Sequence, residues 1–221
     1  RVLAARGVAP EEAERFLNPT LRDYLPDPST LQDMDRAARR LSRAVEGGEK
    51  IAVFGDYDVD GATSSAVLAR FFAGLGVALE IYIPDRLAEG YGPNAPALKR
   101  LKGQGVDIVI TVDCGITAYD ALGEAAEAGL EVIVVDHHAA EPRLPAAAAV
   151  VNPNRLDDTS GQGQLAAVGV AFLLVVALNR ALRDAGWYVR SKRPEPDLRQ
   201  WLDLVALGTV CDVVPLVGVN R

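Results

Sequence analysis

The chain has 221 residues, 49% of them hydrophobic, and a formal net charge of −7 at pH 7. That is enough apolar side chain for one large domain or two small ones, and no run approaches the ~18 uncharged apolar residues of a membrane-spanning helix. The acidic balance argues against a broad basic surface for non-specific nucleic-acid binding, yet leaves room for a site whose acids are neutralised by a cation.

The sequence opens inside a polar helical pattern with no initiator Met and no signal-peptide pattern, and it reads as an excised fragment. Residues 1 to 30 are punctuated by Asn18-Pro19 and Asp27-Pro28, which mark turns. From Asp33 to Val45 the spacing predicts an amphipathic helix, with Met34, Ala37, Ala38, Leu41 and Val45 on one face. Arg36, Arg39, Arg40 and Arg43 fall on the other, read as a solvated face. After Gly47-Gly48 a repeating pattern begins: strand Ile51–Phe54, helix Ala62–Leu75, strand Leu79–Ile83, helix Asn94–Lys102, strand Asp107–Val112, helix Thr117–Ala128, strand Glu131–Val135, and a short fifth strand at Ala148–Val151. The strands are near-continuous apolar, β-branched runs, as in a parallel sheet covered on both faces. The expected fold class is therefore α/β, a parallel five-stranded Rossmann-like sheet with flanking helices, and ligands should gather at the carboxyl ends of its strands. A helical segment follows: a long apolar helix at Leu165–Leu182, an exposed basic loop at Trp187–Asp197 carrying Arg190, Lys192 and Arg193, and a helical run at Leu202–Leu207. The expected division is a lead-in over residues 1–48 and a main domain over residues 49–221.

The polar clusters sit at the predicted strand ends. Asp56, Asp58 and Asp60 follow the first strand at i, i+2 and i+4, Arg86 lies just past the second, Asp113 ends the third, and Asp136-His137-His138 follow the fourth. Three carboxylates this close repel one another and raise each other's pKa unless a cation holds them ionised, and hard divalent metals are the usual answer. A plain polar turn is the weaker reading. A calcium hand is excluded, because the twelfth loop position is Val67 rather than Glu and a strand precedes the loop. His137 and His138 are the chain's two histidines; imidazole is a common metal ligand, and Asp136 beside them can fix a tautomer. Mixed Asp/His donors favour Mn²⁺ over Mg²⁺. Asp113 is either a bridging carboxylate or the N-cap of the following helix. Asp212, a lone acid between apolar residues, either caps a turn or completes the site. Cys114 offers a zinc ligand or, more simply, a packed thiol. With Cys211 it makes too few cysteines for a disulfide framework, which implies a reducing, cytoplasmic setting.

Taken in order, Asp58-Val59-Asp60-Gly61, Val112-Asp113-Cys114-Gly115, Asp136-His137-His138 and Gly208-Thr209-Val210-Cys211-Asp212-Val213-Val214-Pro215-Leu216 resemble the DHH phosphoesterase superfamily. Within it the pattern is most similar to the RecJ family of single-strand-specific 5′→3′ DNA exonucleases. Phe16-Leu17-Asn18-Pro19, Leu31-Gln32-Asp33-Met34-Asp35, Pro84-Asp85-Arg86, Glu89-Gly90-Tyr91-Gly92 and Val151-Asn152-Pro153-Asn154 extend the likeness. The resemblance implies a catalytic DHH domain, with a second domain and an OB-fold lying beyond Arg221. It implies one metal on Asp60, Asp113, His137 and Asp212, and another on Asp58 and the shared Asp113. The second should be weaker, since many family members carry a histidine where this chain has Phe54. Asp56, Asp136 and His138 would be catalytic, with His138 facing phosphate as a general acid, and Arg86 would grip substrate phosphate. The cofactor implied is Mn²⁺ or Mg²⁺ and the reaction is stepwise phosphodiester hydrolysis by a metal-activated water. The implied partners are single-stranded DNA, single-strand-binding protein and recombination helicases. Two alternatives stay open: a DHH enzyme acting on oligonucleotides, cyclic dinucleotides or pyrophosphate, and an inactive paralogue that binds nucleic acid.

Overall fold

The computed structural model of the chain describes residues 1–221. The five apolar runs become parallel strands β1 (Ile51–Gly55), β2 (Leu79–Tyr82), β3 (Ile108–Val112), β4 (Glu131–Val135) and β5 (Ala149–Val151), in the spatial order β2-β1-β3-β4-β5. The chain leaves β1 toward β2 and returns to the other side of β1 with β3. Such a reversal opens a crevice at the carboxyl ends of the strands. Side chains alternate between two cores. Ile51, Val53, Ile108, Ile110 and Ile133 face the larger one, and Ala52, Phe54, Val109, Val132 and Val134 face the smaller.

Register decides where the polar residues stand. Gly55 lies opposite Val112, Val112 opposite Val135, and Val135 opposite Val151. The strands end level, so the residues that follow them, Asp56, Asp113, Asp136 and Asn152, form a row along one rim. Backbone hydrogen bonds carry on into that row. The N–H of Asp56 donates to the Val112 carbonyl at 3.3 Å, that of Asp113 to Val135 at 3.0 Å, and that of Asp136 to Val151 at 3.0 Å. A one-residue slip of any strand would turn its side chains to the opposite face and break the row.

Short helices α1 (Val2–Ala5), α2 (Ala13–Leu17) and α3 (Leu21–Tyr24) precede α4 (Met34–Gly47). One face of the sheet is covered by α4, α5 (Val59–Leu75) and α8 (Ala167–Asp184), the other by α6 (Ala95–Gly103) and α7 (Tyr119–Glu127). α8 is buried on nearly all sides, because the sheet, α4, α5 and α10 (Leu202–Cys211) surround it. Leu174, Leu178 and Leu182 are fully buried there, and truncating such a leucine to Ala typically costs ~2–5 kcal/mol. No helix is long and apolar enough to cross a membrane.

Three expectations need correction. The basic stretch after α8 is not a loop throughout: Trp187–Ser191 forms a short helix, α9, and Tyr188 is buried with its hydroxyl donating to Asn179 Oδ1. The charges of Arg190, Lys192 and Arg193 had outweighed this aromatic anchor. Arg40 does not lie on a simply solvated face. Its guanidinium pairs with Glu49 at 2.6 Å and with Glu131, tying α4 to the sheet. α10 continues four residues past Leu207, through Gly208 to Cys211, because that glycine is helical and packed.

Candidate metal centre

The site begins with a cap. α5 starts at Val59, before the apolar pattern would place it, because Asp58 acts as its N-cap and accepts a hydrogen bond from the Gly61 N–H at 2.9 Å. A Cβ on Gly61 would lie 2.5 Å from the Asp56 carbonyl oxygen, so the turn closes this tightly only on glycine. Asp60 then falls in the first helical turn, 2% exposed, aimed at the start of α8. Its two oxygens accept from the N–H groups of Ala167 (2.6 Å) and Val168 (2.8 Å). Those amides have no partner within α8, and Ala166 at the N-cap has no side chain to offer. Asp60 therefore caps a helix 107 residues away in sequence.

Asp113 is 2% exposed and adopts φ 61°, left-handed backbone that is uncommon for a residue other than glycine. No helix follows directly: α7 begins at Tyr119, with Ala118 before it. The N-cap alternative for Asp113 is thereby excluded, and its carboxylate points into the rim. The Tyr91 hydroxyl donates to the Asp113 carbonyl at 2.9 Å.

Asp136 is fully buried and saturated. One oxygen accepts from the Ile116 N–H at 3.0 Å, and the other from the N–H of His137 (2.7 Å) and of His138 (3.1 Å) and from His138 Nδ1 (2.7 Å). Burial alone would raise its pKa, but the His138 contact and these amides hold it below the usual range. The same carboxylate raises His138. His137 turns the other way. Its Nδ1 sits 3.1 Å from the Leu165 carbonyl, which can only accept, so Nδ1 carries a hydrogen and Nε2 is the nitrogen that offers a lone pair once the ring is neutral. Asn152 and Asn154 donate to the carbonyls of His138 (2.9 Å) and His137, clamping this turn from below.

His137 Nε2 lies 3.3 Å from Asp113 Oδ1, 3.7 Å from Asp212 Oδ2 and 3.8 Å from Asp60 Oδ2. Donor atoms of Asp60, His137 and Asp212 approach within 4.8 Å of one another, and so do those of Asp56, Asp58 and Asp113; Asp113, His137 and His138 form a third such group that joins the two. Burial pushes Asp60 up to about 6 and Asp113 to about 7, and like charges push them the same way. Burial opposes the charge on His137, yet Asp113, Asp212 and Asp60 carry it up to about 9. Asp56 is raised by burial as well. Three buried atoms here have no hydrogen-bond partner: Asp56 Oδ1, Asp113 Oδ1 and His137 Nε2. An unsatisfied buried polar group costs roughly 1–3 kcal/mol, and more if charged. Three in one place, all lone-pair donors of carboxylate or imidazole type, fit divalent cations of the Mn²⁺ or Mg²⁺ kind.

The fold thus brings together Asp56, Asp58, Asp60, Asp113, Asp136, His137, His138 and Asp212. Arg86 stands beside them, its guanidinium 5.1 Å from the Tyr57 ring centroid. Of the two readings of Asp212, joining the site is the one its carboxylate meets, at the end of α10. Phe54 is buried on the far face of the sheet, its ring 5.1 Å from that of Tyr82. Cys114 is a packed thiol that donates to the Val112 carbonyl at 3.3 Å, and Cys211 is exposed and unpaired. The sequence reading gave no role to Tyr91, Asn152, Asn154 or the Leu165 carbonyl. The flanking Gly90 and Gly92, both at φ 79°, were the available signal for Tyr91. For Leu165 there was none, because a backbone carbonyl leaves no mark in sequence.

The chain is 40% identical to the single-stranded-DNA-specific exonuclease RecJ of Escherichia coli (strain K12) over 223 residues, which covers 100% of this chain and 38% of that protein. It is 40% identical to the protein of the same name from Bacillus subtilis (strain 168), covering 100% of this chain and 26% of that one. It therefore spans well under half the length of these relatives. A crystal structure of exonuclease RecJ bound to manganese superposes with a TM-score of 0.72 at 40% identity, covering 86% of this chain and 46% of that one. The profile of the DHH family, N-terminal domain, matches residues 50–209. The chain belongs to the DHH family.

Proposed function

We propose that this chain is the catalytic part of a metal-dependent phosphodiesterase, a single-stranded-DNA-specific 5′→3′ exonuclease of repair and recombination. Residues 1–48 serve as lead-in and residues 49–221 as the DHH domain. The observation that supports the reading best is the convergence of three buried, unpartnered donor atoms from Asp56, Asp113 and His137 at one rim. The relatives' names point the same way.

Asp60, Asp113, His137 and Asp212 would hold one Mn²⁺ or Mg²⁺, and Asp58 with Asp113 would hold the other, the weaker, with the free oxygen of Asp56 beside it where Phe54 offers nothing. Such cations, when bound, polarise a phosphoryl group and lower the pKa of coordinated water. With Nδ1–H given to Asp136, His138 Nε2 is the nitrogen free to take up a second proton, which the imidazolium delivers to the leaving oxygen. Asp136 keeps that ring oriented and favours its charged form. Arg86, propped on Tyr57, binds a substrate phosphate. Single-strand-binding protein and recombination helicases are the proposed partners, and the cytoplasm is the proposed compartment.

The test is Mn²⁺-dependent product release by the full-length protein from a 3′-labelled, 5′-phosphorylated single strand, with Asp113→Ala as control. A ladder shortening from the 5′ end and absent in the variant is expected. Internal cuts, or equal turnover in excess chelator, would sink the reading. A dinucleotide and pyrophosphate run alongside separate it from the other DHH chemistries.

A further inference from the structure

α10 comes unusually close to its neighbours at one residue. Gly208 is buried on α10, and a Cβ there would fall 2.8 Å from Val168 Cγ1 on α8 and 3.2 Å from Asp60 Oδ1 on α5, with Thr63 Oγ1 nearer still. Three helices meet at this point. Gly208 has negative φ inside a helix, so its value does not lie in backbone freedom, and glycine there costs about 1 kcal/mol of helix propensity relative to Ala. What it supplies is room.

That room governs one donor set. One turn on, the Asp212 N–H donates to the Gly208 carbonyl at 2.9 Å, so the approach of Gly208 to α5 and α8 sets where Asp212 hangs. Its carboxylate lies 3.7 Å from His137 Nε2. Asp60 is held by the first amides of α8, and His137 Nδ1 by the Leu165 carbonyl just before that helix. All three members of the Asp60–His137–Asp212 group therefore depend on the junction of α5, α8 and α10. The Asp56–Asp58–Asp113 group does not: Asp56 and Asp113 follow strands, and Asp58 caps its own helix.

We propose that Gly208 is a positioning residue for the metal site. Its missing side chain lets α10 close on α5 and α8, so that Asp212 completes the Asp60–His137 donor set. The proposal rests on reading those three residues as metal donors. A glycine needed only for packing would, when filled, loosen the whole fold and both donor groups alike.

The experiment titrates the full-length protein and its Gly208→Ala variant with Mn²⁺ by calorimetry and by electron paramagnetic resonance, and measures melting without metal. In the variant, one of two Mn²⁺ positions should weaken by about 10–100-fold, the range seen when a group supporting a ligand is removed, while the other holds. A second variant combines Gly208→Ala with Thr63→Ala and Val168→Ala, which removes the two nearest obstacles; it should regain the lost position. Unchanged Mn²⁺ binding in Gly208→Ala, equal loss at both positions in a folded variant, or a folded compensated variant that fails to recover would each overturn the proposal. If Gly208→Ala does not fold, the glycine serves packing alone and the proposal falls. No Mn²⁺ uptake by the parent protein would instead remove the metal reading itself.

Discussion

The two donor groups at the rim are built by opposite means. The Asp56–Asp58–Asp113 group is assembled from chain that has just left a strand or is about to enter a helix, and Asp58 is held by an amide three residues away. In the Asp60–His137–Asp212 group each member is held by something distant: Asp60 by α8, His137 by Leu165, Asp212 by the seat of α10. Local turns survive small changes elsewhere, whereas a junction of three helices transmits them. The first group should therefore be lost only by changing its own residues, and the second also by changes that touch no donor.

The largest effect tests the one residue both groups need. Asp113→Ala should lower kcat/KM for single-stranded DNA by at least ~10³-fold, several kcal/mol of lost transition-state stabilisation, and abolish Mn²⁺ uptake at both positions by calorimetry. Uptake at either one would separate the groups.

Acidity comes next. Asp60 and Asp113 have pKa values raised to about 6 and about 7, so without metal their protonated forms stabilise the fold, and that contribution fades as pH rises from the unfolded value near 4 through 6 and 7. His137, raised to about 9, adds stability below its unfolded value that is lost as pH climbs through about 9. Metal needs all three deprotonated, which gives it the opposite slope. Mn²⁺ affinity should rise by roughly tenfold per pH unit for each proton displaced between pH 6 and 8. A flat affinity in calorimetry across that range would mean the donors are not these.

Asn154→Ala should weaken Mn²⁺ binding by ~10-fold or more through the freed His137 carbonyl, and cost about 1–3 kcal/mol of stability in denaturant melts. The smallest change is the most selective. Asp58→Asn keeps an equivalent N-cap, so stability should stay within about 0.5 kcal/mol while Mn²⁺ stoichiometry falls by one. A large stability loss would show that Asp58 does more for the fold than cap α5.

Much of this was readable from residue order. Periodicity and glycine punctuation located all five strands and the main helices, because runs such as Ile108–Val112 and Glu131–Val135 can be buried on both faces only in a covered parallel sheet. The succession of Asp56, Asp113 and Asp136-His137-His138 after such runs was itself enough to predict a common rim. Boundaries shifted where a polar side chain overrode the pattern, as Asp58 did for α5. Tyr188 hid among charges, and Arg40 found carboxylates that sequence distance concealed.

What the sequence by itself determined is the donor chemistry and the edge of the sheet where it gathers, since residue type and strand period are local properties. Tertiary structure alone decided which donors meet, which tautomer His137 adopts, and that Asp113 caps nothing. Those outcomes depend on backbone groups of Leu165, Ala167 and Val168 and on the space at Gly208. Backbone carbonyls and amides are the same at every residue, so only folding can tell which of them will stand beside a given side chain.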